Sequence, residues 1–439
     1  MKRWRALVTG ATLLGSFALA TRPASAEREL YRDDAHGAKL DFTFDLIGAW
    51  YNGNNSWFGR SAQFLGANTD HWADIGMEPG LTYERSLGRG TLFGAVSGVY
   101  TSTTGNDASG LTVGLDNASE LTLELGNVGW RVEDALDALE NSTFTVTVGR
   151  QDYSIGTGLL IDDGAEDGGE RGGWYLGMRK AFTESVVASL DSDRWLFELF
   201  RLENHPRRGG PLGEAYGANV EYKFREDTNL ATTYMAVDSN APGTVMLDVY
   251  SVRANWRAQS GFGLAGEYVD ESSNQINATG YYGEISYAAK GAWSPVFSYR
   301  YAHFDGDNLA TPIDERFHEI AYGFSDWGAW YQGEITGEYA LGNGNLVSNL
   351  FRVQLQPKED LTINAMLYQF TLDRPLSFGV ASDDWGNEVD FTVEWEVNEH
   401  VSVVGVLAKL FPGDGAKQYV GGGPTDDWTH AMLYVSYRL

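Results

Sequence analysis

Arginine recurs at alternate positions in several segments of the chain, and its planar guanidinium suits two-point contact with a carboxylate or phosphate. Within Tyr250 to Arg257, Arg253 and Arg257 share a side with Ser251 and Asn255, while Tyr250, Val252, Ala254 and Trp256 take the other. Arg300 and Arg352 hold the same kind of position in later segments, with Lys223 a further cation. Carboxylates occupy matching positions, notably Glu267, Glu394 and Glu396, and also Asp41, Asp45, Glu221, Glu284, Glu338 and Asp390. Two chemistries are open. The charges can pair across adjacent strands and stabilise a water-filled interior, or the arginines can form a track that handles an anionic solute between acidic neighbours.

Other sites have weaker spacing. In Asp162-Asp163-Gly164-Ala165-Glu166-Asp167, the carboxylates of Asp162, Asp163 and Asp167 offer hard oxygens to Ca²⁺, as do Asp305 and Asp307 in Asp305-Gly306-Asp307-Asn308. Neither run follows the EF-hand spacing, and a solvated acidic loop is the other reading. Trp327 and Trp330 form a pair whose faces suit a sugar ring, or else belong to a belt of aromatics at a membrane boundary with Trp50, Trp174, Trp256, Trp293, Trp395 and Trp428. The seven histidines are scattered without ligand spacing, the chain has no Cys, and neither a Gly-x-Ser-x-Gly elbow nor a Ser, His and Asp set stands out. The residues therefore predict no enzyme, no cofactor and no metal centre.

These charges need short strands to aim them. Val389, Phe391, Val393, Trp395 and Val397 alternate with Asp390, Thr392, Glu394 and Glu396, and the chain then turns at Asn398-Glu399 into a strand from His400 to Leu410. Phe351, Val353 and Leu355 alternate with Arg352, Gln354 and Gln356; after the Pro357 to Asp360 connection, Leu361, Ile363, Ala365 and Leu367 continue the pattern. The period is two throughout. Connections alternate between short turns and long Gly, Asn or acid-rich stretches such as Asn52 to Pro79, Tyr153 to Gly172, Asp305 to Glu315 and Pro412 to Asp427. That asymmetry predicts an all-β transmembrane antiparallel barrel of about 18 strands, within a range of 16 to 20, with short periplasmic turns and long extracellular loops. A barrel this wide leaves an aqueous lumen, unless one of the connections folds inward as a plug. Gly129 to Asn141 reads as a short helix or a turn at the periplasmic end.

The two ends agree with export and insertion. Lys2, Arg3 and Arg5 precede an apolar stretch from Ala6 to Ala20 and the small-residue site Ala24-Ser25-Ala26, so residues 1–26 read as a signal peptide and 27–439 as one barrel domain. The last residues alternate again, with Leu433, Val435, Tyr437 and Leu439 opposed to Tyr434, Ser436 and Arg438, as in a closing strand. Composition fits: 43% hydrophobic residues coexist with a mean hydropathy of −0.30, as strands apolar on one face only would give. Without the leader's four basic residues, 28 Lys and Arg face 60 Asp and Glu, a net charge of −32, which excludes nucleic acid as a partner.

Gly149-Arg150-Gln151, the run from Ser325 to Glu334, and Trp385-Gly386-Asn387-Glu388-Val389-Asp390 leading to Phe411-Pro412-Gly413 resemble the alginate-export family of outer-membrane barrels. The resemblance implies a monomeric barrel of 18 strands in the bacterial outer membrane that exports an anionic polysaccharide. The acidic inner positions point instead towards other hydrophilic solutes. The expectation is therefore an outer-membrane channel, non-enzymatic, for a polysaccharide or other small solute. A structural or adhesive barrel acting through its loops is the alternative. Implied partners are outer-membrane lipid and lipopolysaccharide, the barrel-assembly machinery, and the solute.

Overall fold

The computed structural model describes residues 28–165, 167–204, 213–225, 227–238, 246–323 and 332–439. Eighteen strands, from Ala38–Asn54 to Trp428–Arg438, pair antiparallel with their neighbours in chain order, and the last closes on the first with Thr429 opposite Asn54 and Arg438 opposite Asp45. A further short strand, Arg28–Asp33, folds back on Ala38 to Phe42 at the end of the barrel that carries the short turns. Closure leaves the ladder of the wall without an open edge, the condition for a sheet to cross hydrocarbon.

The period-two pattern sets the faces as expected. In Leu247–Arg257, Tyr250, Val252 and Trp256 are exposed on the outer surface while Ser251 and Arg253 are buried inside. Val389, Phe391 and Trp395 of Asp384–Asn398 are likewise outside, and Glu388, Asp390 and Thr392 inside. Turns at one end are tight. At Gly261, which has φ +95°, a Cβ would sit 2.4 Å from the Ala288 carbonyl oxygen, so only glycine lets this turn pack against the neighbouring strand. Glu133 to Thr143 is a turn and not a helix.

The interior departs from an open water-filled lumen. The described parts of two long connections on the other end turn inward: residues 152–165 and 167–181, between Thr143–Gln151 and Phe182–Asp191, and residues 305–323 and 332–345, between Val296–Phe304 and Leu346–Lys358. They meet in a short parallel bridge of Ile161 with Ala321, where the Asp162 amide donates to the Ala321 carbonyl at 2.8 Å and the Ala321 amide to the Leu160 carbonyl at 3.0 Å. Ile155, Leu159, Leu160 and Ile161 from the first segment, and Phe317, Ile320, Ile335 and Leu341 from the second, are buried in one apolar cluster with wall residues such as Trp72, Tyr282 and Tyr368. The expected external loop Tyr153 to Gly172 is therefore an interior element. Burying these apolar side chains stabilises the inward position by about 1.5–3 kcal/mol each at full burial, which outweighs the solvation that its acidic run suggests.

The tryptophans divide in the same way. Trp50, Trp256, Trp293 and Trp395 lie exposed on the outer surface, where a boundary belt places them, but Trp428 is fully buried inside and Trp174 donates to Glu338 at 3.2 Å within the lumen. Trp327 and Trp330 lie outside the described residues.

Candidate functional site: a lumen with two unlike walls

Three strands within a run of five, Leu247–Arg257, Val296–Phe304 and Leu346–Lys358, bring most of the predicted cations to one side of the interior. Arg253, Arg300 and Arg352 all point inward and are buried. Arg300 donates from Nε to Glu284 Oε2 at 2.8 Å, and Arg352 reaches the other oxygen of the same carboxylate at 3.5 Å, so Glu284 bridges the two guanidinium groups. Arg253 donates to Asn219 Oδ1 at 3.0 Å and to Thr233 Oγ1 at 3.3 Å, with Glu221 at 3.8 Å. Glu267 stands directly opposite Arg253 in the strand register and accepts from Ser251 Oγ at 2.5 Å. Arg300 also lies over the Tyr282 ring, 5.4 Å from its centroid.

The inward segment packs directly on this wall. Gly156, with φ +61°, lies so close to Arg253 that a Cβ there would sit 2.7 Å from the guanidinium Nε. Arg257, at the short-turn end, is only half-buried and faces Asp227 at 3.9 Å. Glu394 accepts from Asn364 Nδ2 at 3.0 Å further inside, whereas Glu396 is exposed at the short-turn rim.

The wall that follows, from Asp384–Asn398 through the closure to Ser119–Glu133, carries carboxylates whose partners are mostly not side-chain cations, and Asp390 there lies two strands from Arg352 in the same row of the sheet. Glu124 accepts the backbone amides of Lys180 and Ala181 at 2.7 and 2.8 Å. Glu388 accepts those of Ile335 and Thr336 at 2.6 and 2.9 Å, and Asp390 that of Glu334 at 3.0 Å. These three amides open the π-helical segment Gly333–Leu341, so two wall carboxylates cap the positive end of an element lying inside the barrel. Asp74 accepts from Thr103 at 2.6 Å and Glu78 from Ser97 at 2.7 Å. Between them runs an aromatic layer: Tyr51 stacks on Trp72 at 4.6 Å, and Tyr339 packs on Trp428 at 5.5 Å and donates or accepts a hydrogen bond with His430 at 3.2 Å. Sequence reading gave the face of Asp390 but not that of Glu388, and the partners of neither, because those partners are main-chain amides some fifty residues away.

Glu338, in the π-helical segment, has the Trp174 indole as its hydrogen-bond donor, and burial pushes its carboxyl up to about 7 against the pull of that hydrogen bond. The proposed Ca²⁺ ligands face cations supplied by the chain: Asp162 is 3.1 Å from Lys180 Nζ, and Asp167 is 2.5 Å from an Arg179 nitrogen while accepting the Met178 amide at 3.0 Å. Asp163 accepts the Ala165 amide at 3.1 Å, an Asx-type turn.

No protein-family model matches the chain and no curated protein matches it, so the alginate-export resemblance gains no support from either comparison. Solved structures do share the architecture. The chain is similar to the outer membrane protein OprD of Pseudomonas aeruginosa, with a TM-score of 0.56 and 12% identity over 91% of this chain and 94% of that one. It is also similar to the outer membrane protein OpdK of that organism (TM-score 0.55, 14% identity, 91% and 98% covered) and to its OccK11 (OpdR) (TM-score 0.57, 11% identity, 91% and 96% covered). At these identities the likeness is one of fold, a closed antiparallel barrel of the outer-membrane type.

Proposed function

We propose that this protein is a bacterial outer-membrane channel, exported through a cleaved leader at residues 1–26, that passes small charged hydrophilic solutes between an arginine wall and a carboxylate wall. What carries the reading is opposite charge lining one interior, with Arg253, Arg300 and Arg352 on the strands from Leu247–Arg257 to Leu346–Lys358, and Glu388, Asp390 and Glu124 on the strands from Asp384–Asn398 round through the closure to Ser119–Glu133. A solute with both charges can exchange contacts with both walls as it moves, and the low-dielectric surround strengthens each contact. The short turns then face the periplasm and the long connections the outside. The protein acts as a channel and catalyses no bond change.

A polysaccharide, the cargo implied by the alginate-export resemblance, needs a wider path, and both inward segments would have to leave the interior for it. A small solute needs only local displacement beside Gly156 or the π-helical segment. Planar-bilayer recording of the purified protein tests the proposal: small organic ions should carry current and show selectivity, while oligouronates block weakly or not at all. A silent barrel would move the weight to a structural or adhesive role, and strong block by oligouronates would restore the polysaccharide reading.

A further inference from the structure

His303, Asp305 and Asp373 converge at the rim of the barrel that carries the long connections, on its outer side, away from both walls of the lumen. His303 is the penultimate residue of Val296–Phe304, Asp305 begins the inward segment, and Asp373 follows Leu361–Leu372 on the adjoining hairpin. Asp305 Oδ1 lies 3.5 Å and Asp373 Oδ1 3.2 Å from His303 Nε2, and one donor atom from each of the three residues falls within 4.8 Å of the others. The Nε2 is shielded from solvent and faces these two carboxylates. For bonds of about 2.0–2.2 Å, the edge of a coordination tetrahedron is roughly 3.4 Å. The two donor separations bracket that length.

Each ligand is also held from behind. Tyr281 Oη lies 3.2 Å from His303 Nδ1, so the ring's other nitrogen is engaged and Nε2 is turned towards the carboxylates. The Thr279 amide and hydroxyl both donate to Asp305 Oδ2 at 2.7 Å, and the Gly306 amide donates to Asp373 Oδ2 at 2.9 Å. Outer partners of this kind fix ligand orientation and leave one inner oxygen of each aspartate for a metal. Arg374, the nearest cation, lies on the outer oxygen of Asp373, at 3.6 Å, and not on the converging one.

We propose that His303, Asp305 and Asp373 form a site for a divalent transition metal of the zinc class that ties the root of the inward segment to the adjoining hairpin. One imidazole nitrogen with two carboxylate oxygens suits Zn²⁺ and its neighbours, whereas Ca²⁺ calls for six to eight oxygens. Water completes the shell. The location gives the metal its structural role. The Asn345 amide donates to the Asp305 carbonyl at 3.3 Å and the Arg374 amide to Asn345 Oδ1 at 2.6 Å, so both ends of residues 305–345 meet beside this cluster. A bound ion cross-links all three chain positions from the external medium.

Isothermal titration of the full chain in detergent with ZnCl₂, and separately with CaCl₂, tests the site. One saturable Zn²⁺ per chain is expected, weakened roughly tenfold or more by His303→Ala or Asp373→Asn, with Ca²⁺ binding far weaker. Absence of Zn²⁺ binding, Zn²⁺ binding that both substitutions leave unchanged, or equal affinity for Ca²⁺ would overturn it. X-ray absorption of the zinc-loaded unsubstituted protein needs no variant to fold. One imidazole in a first shell otherwise of oxygen supports the site, and two or more imidazoles refute it. Binding and absorption are read without current, so failure here is distinct from failure of the channel proposal.

Discussion

The two walls of the lumen satisfy their charges by different means. On the arginine side, partners come from neighbouring strands in register: Glu284 joins Arg300 and Arg352, and Glu221, Asn219 and Thr233 surround Arg253. On the carboxylate side, Glu124, Glu388 and Asp390 accept main-chain amides of segments that enter from the far end of the barrel. The first wall draws its carboxylate counter-charges from the sheet itself. The second is complete only when the inward segments dock, because a buried carboxylate left without donors costs several kcal/mol. A barrel built this way couples the charge of one wall to the position of its own plug.

The largest effect should come from breaking that coupling. Replacing Glu388 and Asp390 together by Ala leaves the amides of Glu334, Ile335 and Thr336 without acceptors, at about 1–3 kcal/mol each. The π-helical segment should then leave its place while the barrel stays closed. The chain has no Cys, so Ile335→Cys, fully buried at 0% exposure, serves as a reporter: slow thiol labelling in the parent background and fast labelling in the double variant are expected. Equal labelling in both would show that the carboxylates do not hold the segment.

The second test separates the carboxylate wall from the lipid face one residue away. Val393→Arg places a cation on the outer surface at a cost of about 2–4 kcal/mol near the midplane, whereas Glu394→Arg stays on the inner face beside Asn364. Folding yield in lipid should fall for the first and hold for the second. Equal yields would mean that the faces are reversed.

The arginine wall was legible in the sequence, and the carboxylate wall only by half. Alternation alone puts Arg253 inside and Val252 outside, because side-chain direction in a strand follows from parity. Register adds the pairing of Arg253 with Glu267 once adjacent strands are aligned. Nothing comparable fixes a long connection. The acids of Asp162 to Asp167 looked solvated, yet Lys180 and Arg179 supply their counter-charges from the far end of the same loop. The overlooked signal was Leu159-Leu160-Ile161, three apolar residues in a row beside Gly158, which an exposed loop has little reason to carry. Trp174 and Trp428 misled for a related reason: an aromatic near a strand end serves a lipid boundary or a packed interior equally well. His303, Asp305 and Asp373 illustrate the same limit, since His303 and Asp305 lie 70 and 68 residues before Asp373 in sequence and meet it only across a hairpin.

A third test uses acidity. The Glu338 carboxyl is raised from 4.5 to about 7 by burial, so its neutral form is favoured in the docked segment. Stability from this group is fully present below about pH 4.5 and is lost as pH rises through 7, of order 3 kcal/mol across the whole titration. The channel should open more often at pH 8.5 than at pH 5.5, and Glu338→Gln should flatten that dependence. An unchanged pH profile in Glu338→Gln would assign the effect to another group.

The smallest expected effect concerns ions in transit past the arginine wall. Replacing Arg253 and Arg352 together by Gln removes two positive charges and leaves Glu221, Glu267 and Glu284 with Arg300 as the remaining guanidinium of the three. Screening acts over roughly 8–10 Å at physiological salt, so these nearby groups set selectivity and the distant net charge of the chain does not. A unit charge about 4 Å from the path in a water-like medium is worth about 1 kcal/mol, roughly a fivefold change in permeability ratio. Reversal potentials under a salt gradient should therefore move towards cation selectivity by about that factor, and the shift should shrink in 1 M salt, where the screening length is about 3 Å. Because the carboxylate partners of these arginines sit on the wall strands, the same shift is expected in the Glu388 and Asp390 variant with its segment released. A shift that appears only with the segment docked would mean that ions read the arginines through the plug, and the two walls would then have to be treated as one site.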